Sequence, residues 1–126
     1  MSVEENAGQF KALKENPSKE PVTMLNLLKF KQNGGYEKYM EYLKEANRFV
    51  RNVGGKLIYV GKPVELLNGN ETWDLLMLVE YPSRQAFLKM INDPEYLKVH
   101  QKREEAVERA VLYSMDTVDP SSLGRG

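Results

Sequence analysis

Residues 22 to 30, Val-Thr-Met-Leu-Asn-Leu-Leu-Lys-Phe, carry apolar side chains on both alternating rows. Successive strand residues point to opposite faces, so two apolar rows predict a central strand covered on two sides. After Gly34-Gly35 frees the chain to turn, the period changes. Tyr36, Tyr39, Met40, Leu43, Ala46, Asn47 and Val50 recur at three- and four-residue steps, with Glu37, Lys38, Glu41, Lys44 and Glu45 between them. That spacing predicts an amphipathic helix over residues 36–53, capped by Gly54-Gly55. A strand follows from Lys56. Pro63 cannot donate to a ladder, which places this strand at an edge or breaks it with a bulge there. Asn68-Gly69 reads as a turn into a third strand over residues 73–81, Trp-Asp-Leu-Leu-Met-Leu-Val-Glu-Tyr.

The second half repeats the plan. Ser83 after Pro82 is a helix N-cap, and Asp93-Pro94 restarts the helix with a side-chain acceptor and a proline at the first position. Helical sequence is predicted to about Arg109, with Tyr96, Leu97, His100, Val107 and Val111 near one stripe. A last strand spans residues 110–118. Ahead of the first strand, Ala7, Phe10 and Leu13 predict a short helix over residues 4–15, ended by Asn16-Pro17. The order is βαββαβ: an α+β, ferredoxin-like sheet with helices on one face. Residues 1–19 form the N-terminal helix and linker, 20–118 the domain and 119–126 a loose tail.

A chain of 126 residues is one domain, able to bury roughly two thirds of its unfolded surface. Its 18 basic and 18 acidic side chains cancel, with no like-charged block to follow a phosphate backbone, which argues against nucleic acid. The absence of cysteine excludes disulfides, thiolate catalysis and sulfur-ligated metals. The start, Met-Ser-Val-Glu-Glu-Asn, lacks a basic region followed by an apolar run, and no stretch is apolar for ~18 residues. A soluble, cytoplasmic protein without a membrane partner is expected. Asn70-Glu71-Thr72 matches a glycosylation sequon by chance on this reading.

Asn26 and His100 are the candidate catalytic residues. Alternation puts Asn26 on the face of Val22, Met24, Leu28 and Phe30, where an unpaired buried amide would cost ~1–3 kcal/mol. A structural hydrogen bond satisfies that demand; so does a ligand carbonyl or hydroxyl. His100, the one histidine, titrates near neutrality and lies on the inward side of its helix. Tyr36, Tyr39, Trp73 and Arg103 are the candidate substrate-binding residues: the aromatics can wall a pocket for a flat ligand or simply anchor core, and Arg103 can receive an acidic substituent. Arg84 and Lys29 share that last option, with surface ion pairing as the alternative. The run Arg103-Glu-Glu-Ala-Val-Glu-Arg109 reads as a solvated helix face with i to i+4 pairing. A lone histidine without ligand-spaced acids supports no metal, and no nucleophile elbow is present. No cofactor is expected.

Met24-Leu-Asn-Leu-Leu-Lys-Phe30, Tyr36-x-x-Tyr39, Val53-Gly-Gly-Lys56, Trp73-Asp74, Val79-Glu-Tyr-Pro-Ser83 and Asp93-Pro-Glu-Tyr96 together resemble the bacterial domain-of-unknown-function family numbered thirteen-thirty, over about residues 20–118. The resemblance implies the dimeric α/β-barrel superfamily, in which two ferredoxin-like sheets face one another. It therefore implies a homodimer with a cavity between sheet and helices. Related barrel families include cofactor-independent monooxygenases, heme-degrading monooxygenases and stress-responsive or purely binding proteins. The heme-degrading members use an asparagine on the first strand, a tryptophan on the third and a histidine on the second helix, and Asn26, Trp73 and His100 are of those types. The expectation is a homodimer that binds a small apolar or aromatic metabolite, as a cofactor-independent oxygenase or isomerase. The alternative is a non-catalytic binding or stress-response dimer whose inward polar residues only hold the fold.

Overall fold

The computed structural model describes residues 5–124. The elements run α1 (Ala7–Glu15), β1 (Val22–Phe30), α2 (Gly35–Asn52), β2 (Lys56–Gly61), β3 (Leu75–Tyr81), α3 (Arg84–Ile91), α4 (Pro94–Ala106) and β4 (Val107–Met115), with a 3-10 turn at Pro120–Ser122. Residue 4 of the predicted first helix, and the rest of the N-terminal segment before it, lie outside the described residues, as do residues 125 and 126 of the predicted tail. The sheet order is β2-β3-β1-β4 with every pair antiparallel, which is the ferredoxin-like arrangement. Among the described residues, no helix is long and apolar enough to cross a membrane.

β1 is central, as its two apolar rows require. Val22, Met24, Asn26 and Leu28 are buried toward the helices, and Thr23, Leu25, Leu27 and Lys29 are half-buried on the other face. The core joins that first row to Met77, Val79 and Tyr81 of β3 and to Tyr39, Tyr42, Ala46 and Phe49 of α2.

Caps stand where the residues call for them. Ser83 Oγ accepts from Ala86 N–H at 3.1 Å and Asp93 Oδ1 from Glu95 N–H at 2.9 Å, with Pro94 at the start of α4. Past the end of α2, Gly54 takes φ +85°, a left-handed conformation that side chains resist. β2 is an edge strand, but its bulge falls between Leu57 and Tyr59 and the strand ends at Gly61, before Pro63. Asn68-Gly69 makes only a bend inside a long irregular connection over residues 62–74.

Four boundaries and faces differ from the sequence reading. β3 begins at Leu75, leaving Trp73 and Asp74 in the connection, because Asp74 N–H donates to Leu28 O at 2.7 Å and its Oδ2 accepts from Phe30 N–H at 2.9 Å. The inward row of α2 is Tyr39, Tyr42, Ala46 and Phe49, so Tyr36 and Asn47 are exposed. α4 buries Tyr96, Val99, Arg103 and Ala106, while Leu97 is exposed. The helix stops at Ala106 rather than Arg109, and β4 starts three residues earlier than expected and ends at Met115. Val107 pairs with Phe30 and is fully buried, and Lys31 N–H donates to Ala106 O at 2.9 Å, so pairing with β1 takes over where the helix would have continued. The supposed solvated helix face is therefore split: Arg103 points inward and Arg109 lies on a strand. A Cβ at Gly35 would sit 2.6 Å from Ala106 O, so the two crossovers touch where only glycine fits.

Candidate functional site

A cavity of about 1740 Å³ lies between the helices and the sheet. That exceeds the ~300–1,000 Å³ of most ligand pockets, and its solvent end is marked by exposed lining residues such as Leu57, Val60 and Leu97. Apolar wall is supplied by Met24, Met77 and Val79 from the sheet and by Leu43, Ala46 and Val50 from α2. Helical spacing sets the polar groups. Tyr39 and Tyr42, three apart, come from α2; Tyr96, His100 and Arg103, four and three apart, come from α4; Asn26 comes from β1. α2 and α4 pack side by side, which brings these rows together over β1.

Arg103 is buried, 8% exposed. Its Nη2 donates to Asn26 Oδ1 at 3.5 Å, and it shares a hydrogen bond with the Tyr39 hydroxyl. Among the described residues Asn26 Nδ2 has only Met24 O, also at 3.5 Å, so both amide contacts stand at the long end of hydrogen bonding. A second chain runs beside the first. The Tyr42 and Tyr96 hydroxyls are 2.7 Å apart, and Tyr96 Oη lies 3.5 Å from His100 Nδ1. His100 Nε2 is 3.9 Å from Glu104 Oε2.

Burial pushes the hydroxyls of Tyr39, Tyr42, Tyr81 and Tyr96 above the ordinary phenol value, so they stay protonated donors. Burial opposes the Arg103 charge most strongly; the pull that moves its pKa up comes from Tyr39, Tyr42 and Tyr96 in their ionised form, which burial withholds near neutrality. His100 moves the other way: burial first, then Arg103, lower its pKa from 6.5. The cavity thus combines a fixed cation, neutral hydroxyl donors, a loosely held amide and an uncharged imidazole. Such a set can orient an oxygen-bearing ligand, stabilise an oxyanion and accept a proton.

Asn26, Tyr39, His100 and Arg103 share this cavity. Tyr36 also lines it, but at 53% exposed it lies toward solvent, edge-on to Phe30 with ring centroids 5.8 Å apart. Trp73 is not among the lining residues. It sits under the Arg109 guanidinium, 4.5 Å from the ring centroid, while Arg109 also holds Glu71 and Thr72 O at 2.8 and 2.9 Å. Trp73 therefore anchors the β2–β3 connection to β4, and the asparagine–tryptophan–histidine grouping of heme-degrading proteins is not assembled. Arg84 pairs with Asp116 at 3.0 Å and Lys29 with Asp74 at 3.7 Å, both away from the cavity. Among the described residues no acid, histidine or cysteine cluster could hold a metal ion.

The sequence pattern alone does not single out Tyr42 as a site residue, and it gives Tyr96 only a place in a helix stripe. The signal was present: Tyr39, Tyr42, Ala46 and Phe49 form a three-four-three row as regular as the one centred on Tyr36 and Met40.

A protein of unknown function from Rhodopseudomonas palustris is 29% identical and superposes with a TM-score of 0.88, over 94% of this chain and 98% of that one. A dimeric ferredoxin-like protein of unknown function from Jannaschia sp. CCS1 is 12% identical, with a TM-score of 0.62 over 77% and 99% of the two chains. SnoaB, a cofactor-independent oxygenase from Streptomyces nogalater, is 12% identical, with a TM-score of 0.55 over 80% and 98%. The last two likenesses are of fold alone. No curated protein matches the chain. The model of the family described as a domain of unknown function (DUF1330) matches residues 28–116, and the chain belongs to that family.

Proposed function

We propose that this protein is a homodimer that binds a small apolar or aromatic metabolite between its helices and sheet, and acts on it as a cofactor-independent oxygenase or isomerase. The observation that carries this reading is the buried polar set of Asn26, Tyr39 and Arg103, with His100 beside it, against the apolar side chains of Met24, Met77, Val79 and Ala46 in one cavity. In that chemistry, neutral His100 removes a proton from a carbon beside a carbonyl. Asn26, Tyr39 and Arg103 stabilise the oxyanion that develops, and an apolar wall keeps water from quenching the carbanion. Dioxygen would be the oxidant in the oxygenase case. The distant fold likeness to SnoaB is compatible with this reading and is an analogy of fold.

The sheet face away from the helices supports self-association. Leu25 and Leu27 pair across it with Leu78, Leu76, Tyr113 and Val111, and in β2 Tyr59, opposite Leu78, is exposed. An apolar sheet face of this kind is ordinarily covered, and ferredoxin-like neighbours are described as dimeric.

A thermal-shift screen against quinones, polyphenols, short acyl compounds and heme tests the binding claim. A ligand at 100 times its Kd adds ~2.7 kcal/mol to stability. A shift that disappears in Asn26→Ala or His100→Ala would support the site, and oxygen uptake with that ligand would then test catalysis. Absence of any shift would favour a non-catalytic dimer; turnover unchanged in both variants would sink the roles assigned to Asn26 and His100.

A further inference from the structure

Two arginines are deeply buried, and they are treated differently. Arg84, 5% exposed, has the Asp116 carboxylate at 3.0 Å. Arg103 has none: among the described residues no carboxylate oxygen lies within the 4.0 Å of an ion pair to its guanidinium. Glu104 is its neighbour in sequence, but adjacent helix residues do not face each other, and Glu104 reaches toward His100 instead. The partners Arg103 does have, Asn26 and Tyr39, are neutral. A guanidinium offers five donors, so these two contacts leave others over, and Arg103 lines the cavity. A buried cation without a counter-charge is unfavourable unless something compensates it. No tyrosinate does so, because burial keeps the nearby phenols protonated.

We propose that the missing counter-charge arrives with the ligand: the cavity takes an apolar or aromatic molecule bearing one carboxylate, and Arg103 receives that group. The inference rests on the reading of this cavity as a ligand site and adds the class of ligand. A carboxylate suits the planar guanidinium fork, which can bind both its oxygens. One fixed buried charge matches a monoanion rather than a phosphate dianion. The other basic side chains along the cavity, Lys44, Arg51 and Lys56, are exposed and hydrated. Tyr39 and Asn26, already at the guanidinium, can turn a donor to the same group.

The test compares acids with their uncharged isosteres on the full chain. Titration calorimetry at pH 7.5 would measure 2-naphthoate, cinnamate and 4-phenylbutyrate against the corresponding primary carboxamides. At least one acid is expected to bind tenfold or more tighter than its amide. Arg103→Met should erase that preference and Arg103→Lys keep part of it. Equal binding of acids and amides would overturn the anionic class while leaving the cavity reading intact. Failure of both series to bind would sink both. An acid preference that survives in Arg103→Met overturns the assignment to Arg103, and should that variant not fold, the wild-type comparison and Arg103→Lys decide the matter.

Discussion

His100 is the one side chain in the sequence whose ordinary pKa lies near neutrality. Burial and the Arg103 charge lower its pKa in the folded state, against a smaller opposite pull from Glu104 and Glu5. The unfolded chain therefore takes up the proton at higher pH than the folded chain. Its contribution to stability is whole above about pH 6.5 and is lost as pH falls toward the folded pKa. Urea midpoints measured from pH 7.5 to 5.5 should fall for the wild type and stay flatter for His100→Gln; superimposable profiles would refute the burial argument. The residue scale is also where the sequence said least about the site. Asn26 was legible because a polar side chain interrupted an apolar row, and His100 because it is alone. Arg103 was legible only as a charge, since its lack of an acidic partner is a property of three dimensions. Trp73 was misjudged because sequence shows an aromatic at a strand start but not the Arg109 side chain that reaches across from β4 to cover it.

At the scale of elements, punctuation was read more reliably than faces. Ser83, Asp93-Pro94 and Gly54-Gly55 act locally, through hydrogen bonds and φ preferences that need no tertiary information. Helix faces and the α4–β4 boundary depend on what lies opposite: alanine and valine at 106 and 107 suit a helix or a strand, and pairing with Phe30 decides. The local devices can be tested directly. Ser83→Ala removes the acceptor for Ala86 N–H and should cost ~1 kcal/mol. Gly54→Ala should cost about 1–2 kcal/mol for the left-handed φ of +85° alone. It should cost more than that, because the new Cβ would lie 2.8 Å from Pro82 Cγ. Urea unfolding measures both; a Gly54→Ala protein as stable as the wild type would show that the α2–β2 turn relaxes freely. Leu28→Ala probes the shared core instead, and a fully buried leucine on the central strand should cost ~2–5 kcal/mol.

For the whole molecule, β1 divides the proposed functions between its two faces. Asn26 points to the helices and the cavity, while Leu25 and Leu27 on either side of it point to the uncovered face. Association and ligand binding should therefore be separable by mutation. Leu78 pairs with Leu25 and Tyr59 at the middle of the uncovered face and is half-buried in a single chain. A lysine there can reach solvent from a monomer, but would place a charge between two facing sheets, which is costly without a partner. Light scattering at micromolar concentration should give about twice the 14.5 kDa chain mass for the wild type and a single-chain mass for Leu78→Lys. Circular dichroism should show the variant folded, and any ligand that shifts the wild type should still shift it. A wild-type monomer would remove the shared barrel. A monomeric, folded Leu78→Lys that loses the ligand would mean that the second copy shapes the cavity, and that the two faces of the sheet are coupled through β1.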